Sequence, residues 1–226
     1  MEYLHIGKAQ FISRPNRFIA RISVGGKDEI AHVKNTGRCK ELLVPGADIY
    51  VQDCASEKRK TKYDLISVYK GERLINMDSQ APNKVFAEWV RKGKLFPNLT
   101  LLRPETTYGN SRFDFYAEAG ERKIFIEVKG VTLEENGVAS FPDAPTLRGV
   151  KHVNELCACK KAGFESYLVF IVQMDNVRYF TPNFRNDPAF ATALSTAKAT
   201  GVEIIALDCT VTEKSITAGQ FVEVRL

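Results

Sequence analysis

The spacing of apolar residues changes period near Asp78, and that change limits what the chain can fold into. Before it, Glu2 to Ile12, Arg17 to Val24, Glu29 to Lys34, Asp48 to Asp53 and Lys62 to Tyr69 read as short strands. They are punctuated by Gly25-Gly26, a hairpin signal, and Pro45-Gly46, a turn. Short strands at this spacing build a small β-barrel. Arg38 to Leu43, between the third and fourth strands, is expected to form a short helix.

After Asp78, Val85, Phe86, Trp89 and Val90 recur with helical spacing and Gly93 stands as a stop, so Asn83 to Lys92 is expected as an amphipathic helix. Strands follow at Leu99 to Thr107, Arg112 to Ala119 and Lys123 to Lys129, then a helix from Thr146 to Ala162 ending at Gly163. Tyr167 to Gln173 and Val202 to Asp208 are apolar strands, and Asp187-Pro188 supplies a cap and first-turn proline for the helix between them. The order α-β-β-β-α-β-α-β implies a mixed sheet flanked by helices. The expected division is therefore a barrel over residues 1–80 and an α/β unit over residues 81–226.

Composition narrows the function classes. The 226 residues are 44% hydrophobic and 26% charged, which is globular rather than disordered. The longest apolar run, Tyr167 to Val172, is far too short to span a bilayer, and the N-terminus lacks a signal peptide pattern. Five unpatterned cysteines read as reduced thiols, so a cytoplasmic location is expected. Net charge is +5, compatible with a nucleic-acid partner without requiring one. Most of the excess is N-terminal, since residues 1–80 carry 14 basic and 10 acidic side chains.

The chemistry concentrates in Ser111-Arg112-Phe113-Asp114-Phe115-Tyr116 and Ile124-Phe125-Ile126-Glu127-Val128-Lys129-Gly130. Strand alternation puts Ile124, Ile126 and Val128 on one face and Phe125, Glu127 and Lys129 on the other. On the preceding strand Phe113 and Phe115 should point one way and Asp114 the other, with antiparallel pairing bringing Asp114 beside Glu127. Two carboxylates and a lysine then converge, a donor set suited to Mg²⁺, which takes one or two carboxylates plus water and phosphate oxygens. Lys129 would orient or help deprotonate an attacking water. The spacing alone equally fits a cross-strand salt bridge, because Glu-x-Lys recurs at Glu121-Arg122-Lys123 in an evident turn.

On the following helix Arg148, His152 and Glu155 form one polar stripe beside Lys151, opposite Val150, Val153 and Leu156. Such a stripe ordinarily faces solvent. The approach, Phe141-Pro142-Asp143-Ala144-Pro145-Thr146, is stiffened by two prolines and ends on a threonine able to cap the helix. Phosphate-loop, dinucleotide, HExxH and Gly-x-Ser-x-Gly patterns are absent, and Cys157-x-Cys159 within a helix does not suit zinc.

The segments Asn35-Thr36-Gly37-Arg38, Glu41-Leu42-Leu43-Val44-Pro45-Gly46, Ser111-Arg112-Phe113-Asp114, Glu127-Val128-Lys129 and Phe141 to Gly149 together resemble the sugar fermentation stimulation protein A family of bacteria and archaea. The resemblance runs along nearly the whole chain. It implies an OB-like β-barrel followed by a PD-(D/E)xK nuclease-like α/β domain, and an OB barrel commonly carries a helix where Arg38 to Leu43 stands. It also implies DNA binding, a link to the regulation of sugar metabolism, maltose in particular, and Mg²⁺ or Mn²⁺ as cofactor. On this resemblance Asp114 and Glu127 take the acidic positions, Lys129 the lysine, and Glu88 the additional metal carboxylate. The chain departs from the family pattern at Leu147, where glutamate is common.

For nucleic acid the barrel offers Arg14, Arg17, Arg38, Lys58, Arg59, Lys60 and Lys62, and the second unit Arg148 and Lys151, with Thr146, His152 and Glu155 as further site candidates. Phe11 and Phe18, alternating strand residues, read as barrel core. The expected function is a DNA-binding, metal-dependent phosphodiesterase. The alternatives are a sequence-neutral, non-catalytic DNA-binding regulator on a nuclease scaffold and an enzyme of RNA or a small phosphorylated molecule. A homodimer would suit cutting of two strands.

Overall fold

The computed structural model describes residues 1–54 and 59–226. Six strands form the first sheet: β1 (Ile6–Asn16), β2 (Ile19–Val24), β3 (Lys27–His32), β4 (Asp48–Asp53), β5 (Tyr63–Lys70) and β6 (Arg73–Asn76). Their order is β3-β2-β1-β4-β5-β6, and β3 also pairs in parallel with β5 through Ala31 and Tyr63. That closure makes an OB barrel of the first five strands, filled by Phe11, Ile22, Val33 and Leu65. Phe11 is core as expected, but Phe18 is not. It is 43% exposed, at the turn into β2.

The helix expected at Arg38 to Leu43 is a turn in which Leu42 N and Leu43 N both donate to Cys39 O. Arg14 explains why. Its guanidinium donates to the carbonyls of Asn35, Gly37 and Arg38, while Cys39 N donates to Asp143, so the segment's backbone groups are committed elsewhere.

The second half begins with α1 (Ala81–Arg91) and contains β7 (Leu99–Tyr108), β8 (Ser111–Ala119), β9 (Arg122–Val131), α2 (Leu147–Lys161), β12 (Glu165–Val172), α3 (Pro188–Thr200), β14 (Glu203–Val211) and β15 (Ile216–Val222). The strands form one mixed sheet in the order β15-β14-β12-β9-β8-β7, with β9, β12 and β14 parallel. Three short strands, β10 (Leu133–Glu135), β11 (Val138–Phe141) and β13 (Tyr179–Pro182), make a small third sheet. Alternation along β12 divides two cores. Val169 and Ile171 pack with Val85, Phe86 and Trp89 of α1, whereas Leu168 and Phe170 pack with Val153 and Leu156 of α2 and Phe190 of α3.

The second of these cores runs on into the barrel interior, so Phe11 and Leu65 belong to the same apolar cluster as Phe170 and Phe190. Polar contacts cross the same seam. Lys34 Nζ lies 3.3 Å from Asp64 of the barrel and 3.1 Å from Asp78, whose other oxygen accepts from Gln80 N just before α1. No helix is long and apolar enough to cross a membrane among the described residues.

Candidate active site

The β8–β9 ladder runs as far as Phe115 opposite Ile126 and then opens. Beyond that point the Asp114 carboxylate takes the place of a ladder bond, accepting from Val128 N at 2.8 Å, and its other oxygen accepts from Asn83 Nδ2 of α1 at 2.8 Å. Opposite Asp114, Glu105 of β7 has φ +51°. Alternation therefore breaks here, contrary to expectation. Phe113 packs on Phe125 in one core and Phe115 on Phe86 in the other, so the two phenylalanines do not share a face. The helix α1 reaches Asp114 because Gly130, next to last in β9, has no side chain in its way; a Cβ there would stand 2.7 Å from Pro82 Cγ.

Glu127 is 2% exposed. Its Oε1 lies 2.5 Å from both Lys129 Nζ and His152 Nδ1, whereas its Oε2 is buried with no partner among the described residues. His152 Nε2 accepts from Arg148 Nε at 3.4 Å. A guanidinium only donates, so the ring proton sits on Nδ1 and points at Glu127. Burial raises the Asp114 carboxyl above its ordinary range, with help from the charge of Glu127. Burial acts the same way on Glu127, but the His152 hydrogen bond and the charge of Lys129 outweigh it and hold Glu127 low. Two neighbouring carboxyls are thus pushed in opposite directions.

Asp114, Glu127 and Lys129 line one cleft of about 210 Å³ together with Asn83, Arg112 and Arg148. The polar stripe of α2 does not face solvent along its length, since His152 is 6% exposed. Thr146 caps α2 by accepting from Gly149 N, and its own N–H donates to Asp187, whose second oxygen caps α3. One carboxylate so fixes both helix starts and aims Arg148 and His152 at the cleft. Glu155, a turn further on, and Lys151, which donates to Asn110 O, stay outside its lining. Glu88 is also elsewhere. It lines an adjoining hollow that shares Asp114, with Oε2 2.6 Å from the Met1 amino nitrogen.

In the barrel, Arg14 is spent on loop carbonyls, and Arg59 binds the buried Asp64. Arg17 stacks over exposed Phe18 at 4.8 Å, and Lys62 lies 4.9 Å from the Tyr63 ring centre. Arg38 and Lys60 are exposed. Lys58 lies outside the described residues. Sequence reasoning missed Asn83 and Arg112 as parts of the cleft. Asn83 directly follows Pro82 in the first turn of α1, but only the fold shows that this turn meets β8.

Comparison with known proteins agrees with this architecture. The model described as the sugar fermentation stimulation protein RE domain matches residues 80–215, and the SfsA N-terminal OB domain matches residues 12–77. The chain belongs to the sugar fermentation stimulation protein family. Family members in Desulfitobacterium hafniense strain Y51 and Clostridium beijerinckii are 62% and 54% identical to it, each over the whole of this chain and 99% and 100% of the relative. A family structure, that of Pyrococcus furiosus SfsA in complex with Ca²⁺, superposes with a TM-score of 0.91 at 30% identity, covering 100% of this chain and 98% of that one.

Proposed function

We propose that this protein is a divalent-cation-dependent phosphodiesterase acting on DNA. The observation that carries the reading is the orphaned, buried Oε2 of Glu127 in a cleft shared with Asp114 and Lys129. A buried anionic oxygen without a donor is costly unless something cationic completes it. Asp114 and Glu127 are the hard oxygen donors that would hold Mg²⁺ or Mn²⁺, and the Pyrococcus furiosus relative was solved with Ca²⁺. A bound divalent cation there supplies charge stabilisation at a phosphoryl oxygen. Lys129 holds and orients a water for attack, and Arg112 and Arg148 seat the phosphodiester by charge. Exposed Arg17-Phe18, Arg38, Lys60 and Lys62 on the barrel add salt-dependent contacts to the strand backbone and a stacking surface.

The test is cleavage of labelled DNA and RNA with Mg²⁺, Mn²⁺ or EDTA, with binding recorded in the same samples. Glu127→Gln and Lys129→Ala should each lose at least about 100-fold in rate, as EDTA should in the wild type. Cutting that survives both substitutions refutes the assignment. One observation favours a second reading, a regulator that binds DNA without cutting it. Lys129 already pairs with Glu127. Equal binding by all three proteins without cleavage would establish that reading, and the family link to sugar metabolism, maltose included, would then run through DNA occupancy.

A further inference from the structure

Glu127 is asymmetric in a way the proposed reaction does not itself require. Both donors that reach it, Lys129 Nζ and His152 Nδ1, converge on Oε1 at 2.5 Å, and Oε2 alone is left. The imidazole is fixed from behind. It is nearly fully buried, its Nε2 accepts from Arg148, and its helix is pinned at Thr146 and Gly149. Gly149 leaves no room for adjustment, since a Cβ there would stand 2.6 Å from Thr146 Cγ2. The ring therefore cannot withdraw from Oε1 without disturbing the start of α2.

We infer that His152, together with Lys129, sets which cation the cleft accepts, by occupying Glu127 Oε1 and so limiting Glu127 to a single ligating oxygen. Small cations and large ones differ in what they ask of a carboxylate. Mg²⁺ and Mn²⁺ take about six oxygens in near-octahedral array, and a one-oxygen carboxylate fits that geometry. Ca²⁺ gathers about six to eight oxygens and gains from carboxylates that bind through both. With Oε1 occupied and Asp114 held by Val128 N and Asn83, the chain offers few oxygens, a deficit that costs Ca²⁺ more than Mg²⁺. His152 is on this argument a positioning residue that acts through Glu127. The inference rests on the reading of the cleft as a divalent-cation site.

Calorimetric titration of the full chain with Mg²⁺ and with Ca²⁺ tests it without any cleavage measurement. His152→Ala combined with Lys129→Met, which together free Oε1, should raise affinity for Ca²⁺ relative to Mg²⁺ by about tenfold or more, and His152→Ala alone should shift the ratio in the same direction by less. His152→Leu, which fills the space without a donor, should shift the ratio the same way and guards against a cavity that unfolds the alanine variant. His152→Gln, which restores an N–H toward Oε1, should return the ratio to near the wild-type value. Parallel weakening of both cations, an unchanged ratio, or a glutamine variant that behaves like alanine would overturn the inference and leave the cation site standing. A wild-type protein that takes up neither cation would overturn both.

Discussion

Asp64 in the barrel at 3% exposure and Glu127 in the cleft at 2% are two of the acids that lie almost wholly out of water, and they are treated differently. Asp64 is closed on both oxygens. Arg59 binds it, Lys34 Nζ is 3.3 Å from Oδ2 and His32 Nδ1 3.7 Å from Oδ1. Glu127 has two donors on one oxygen and none on the other. Both carboxyls are held below the ordinary range, so charge alone does not separate them. Satisfaction does. An acid neutralised on every side is a joint of the fold, and one left half open is a socket.

The largest effect expected from this contrast is at the joint. Asp64→Ala strips a counter-ion from Lys34 and Arg59 at a buried site and should cost about 3 kcal/mol in urea unfolding. Its pH signature is fixed in sign. Burial alone would raise the Asp64 pKa, but the Arg59 hydrogen bond and the Lys34 charge lower it, so its stabilisation is present above the ordinary carboxylate range. That stabilisation is lost as pH falls through the lowered value. Acid unfolding of the variant should therefore be shallower than that of the wild type.

The socket should tolerate more. Glu127→Gln keeps a carbonyl for Lys129 and His152, and its stability should lie within about 1 kcal/mol of wild type. A loss as large as that of Asp64→Ala would erase the distinction drawn here. The smallest expected effect has the opposite sign. Burial raises the Asp114 carboxyl, so the native state holds more protons than the unfolded state between the ordinary carboxylate value and the raised one. Stability consequently falls as pH rises through that window. Asp114→Asn removes the penalty, and its midpoint of thermal unfolding should match wild type at pH 3 and exceed it by roughly 2 °C at pH 7. A lower midpoint at pH 7 would mean that the bonds to Asn83 and Val128 outweigh the charge.

How much of this was legible beforehand follows from the range of the interactions. Strong local signals were readable: the period change at Asp78, the Asp187-Pro188 cap of α3, and the face of β9 that carries Glu127 and Lys129. Short strands whose partners are remote in sequence were not. The strand β11, four residues long, pairs in parallel with β13 and has no pattern long enough to stand alone. The break at Asp114 was hidden for the same reason, because it depends on Asn83 arriving from α1 and on the left-handed Glu105 across the sheet. Arg14 looked like a phosphate contact because composition counts charges without knowing where their donors go. The structure spends them on Asn35, Gly37 and Arg38.

The apolar cluster that joins Phe11 and Leu65 of the barrel to Phe170 and Phe190 beneath α2 and α3 bears on how such chains change over time. A boundary near residue 80 exists along the sequence but not in the interior. A chimera joining the barrel of one relative to the second half of another would bring together two half-cores shaped against different partners. The two halves are thus expected to be inherited as one piece, with a change of volume at Val33 or Leu65 answered by a change across the seam.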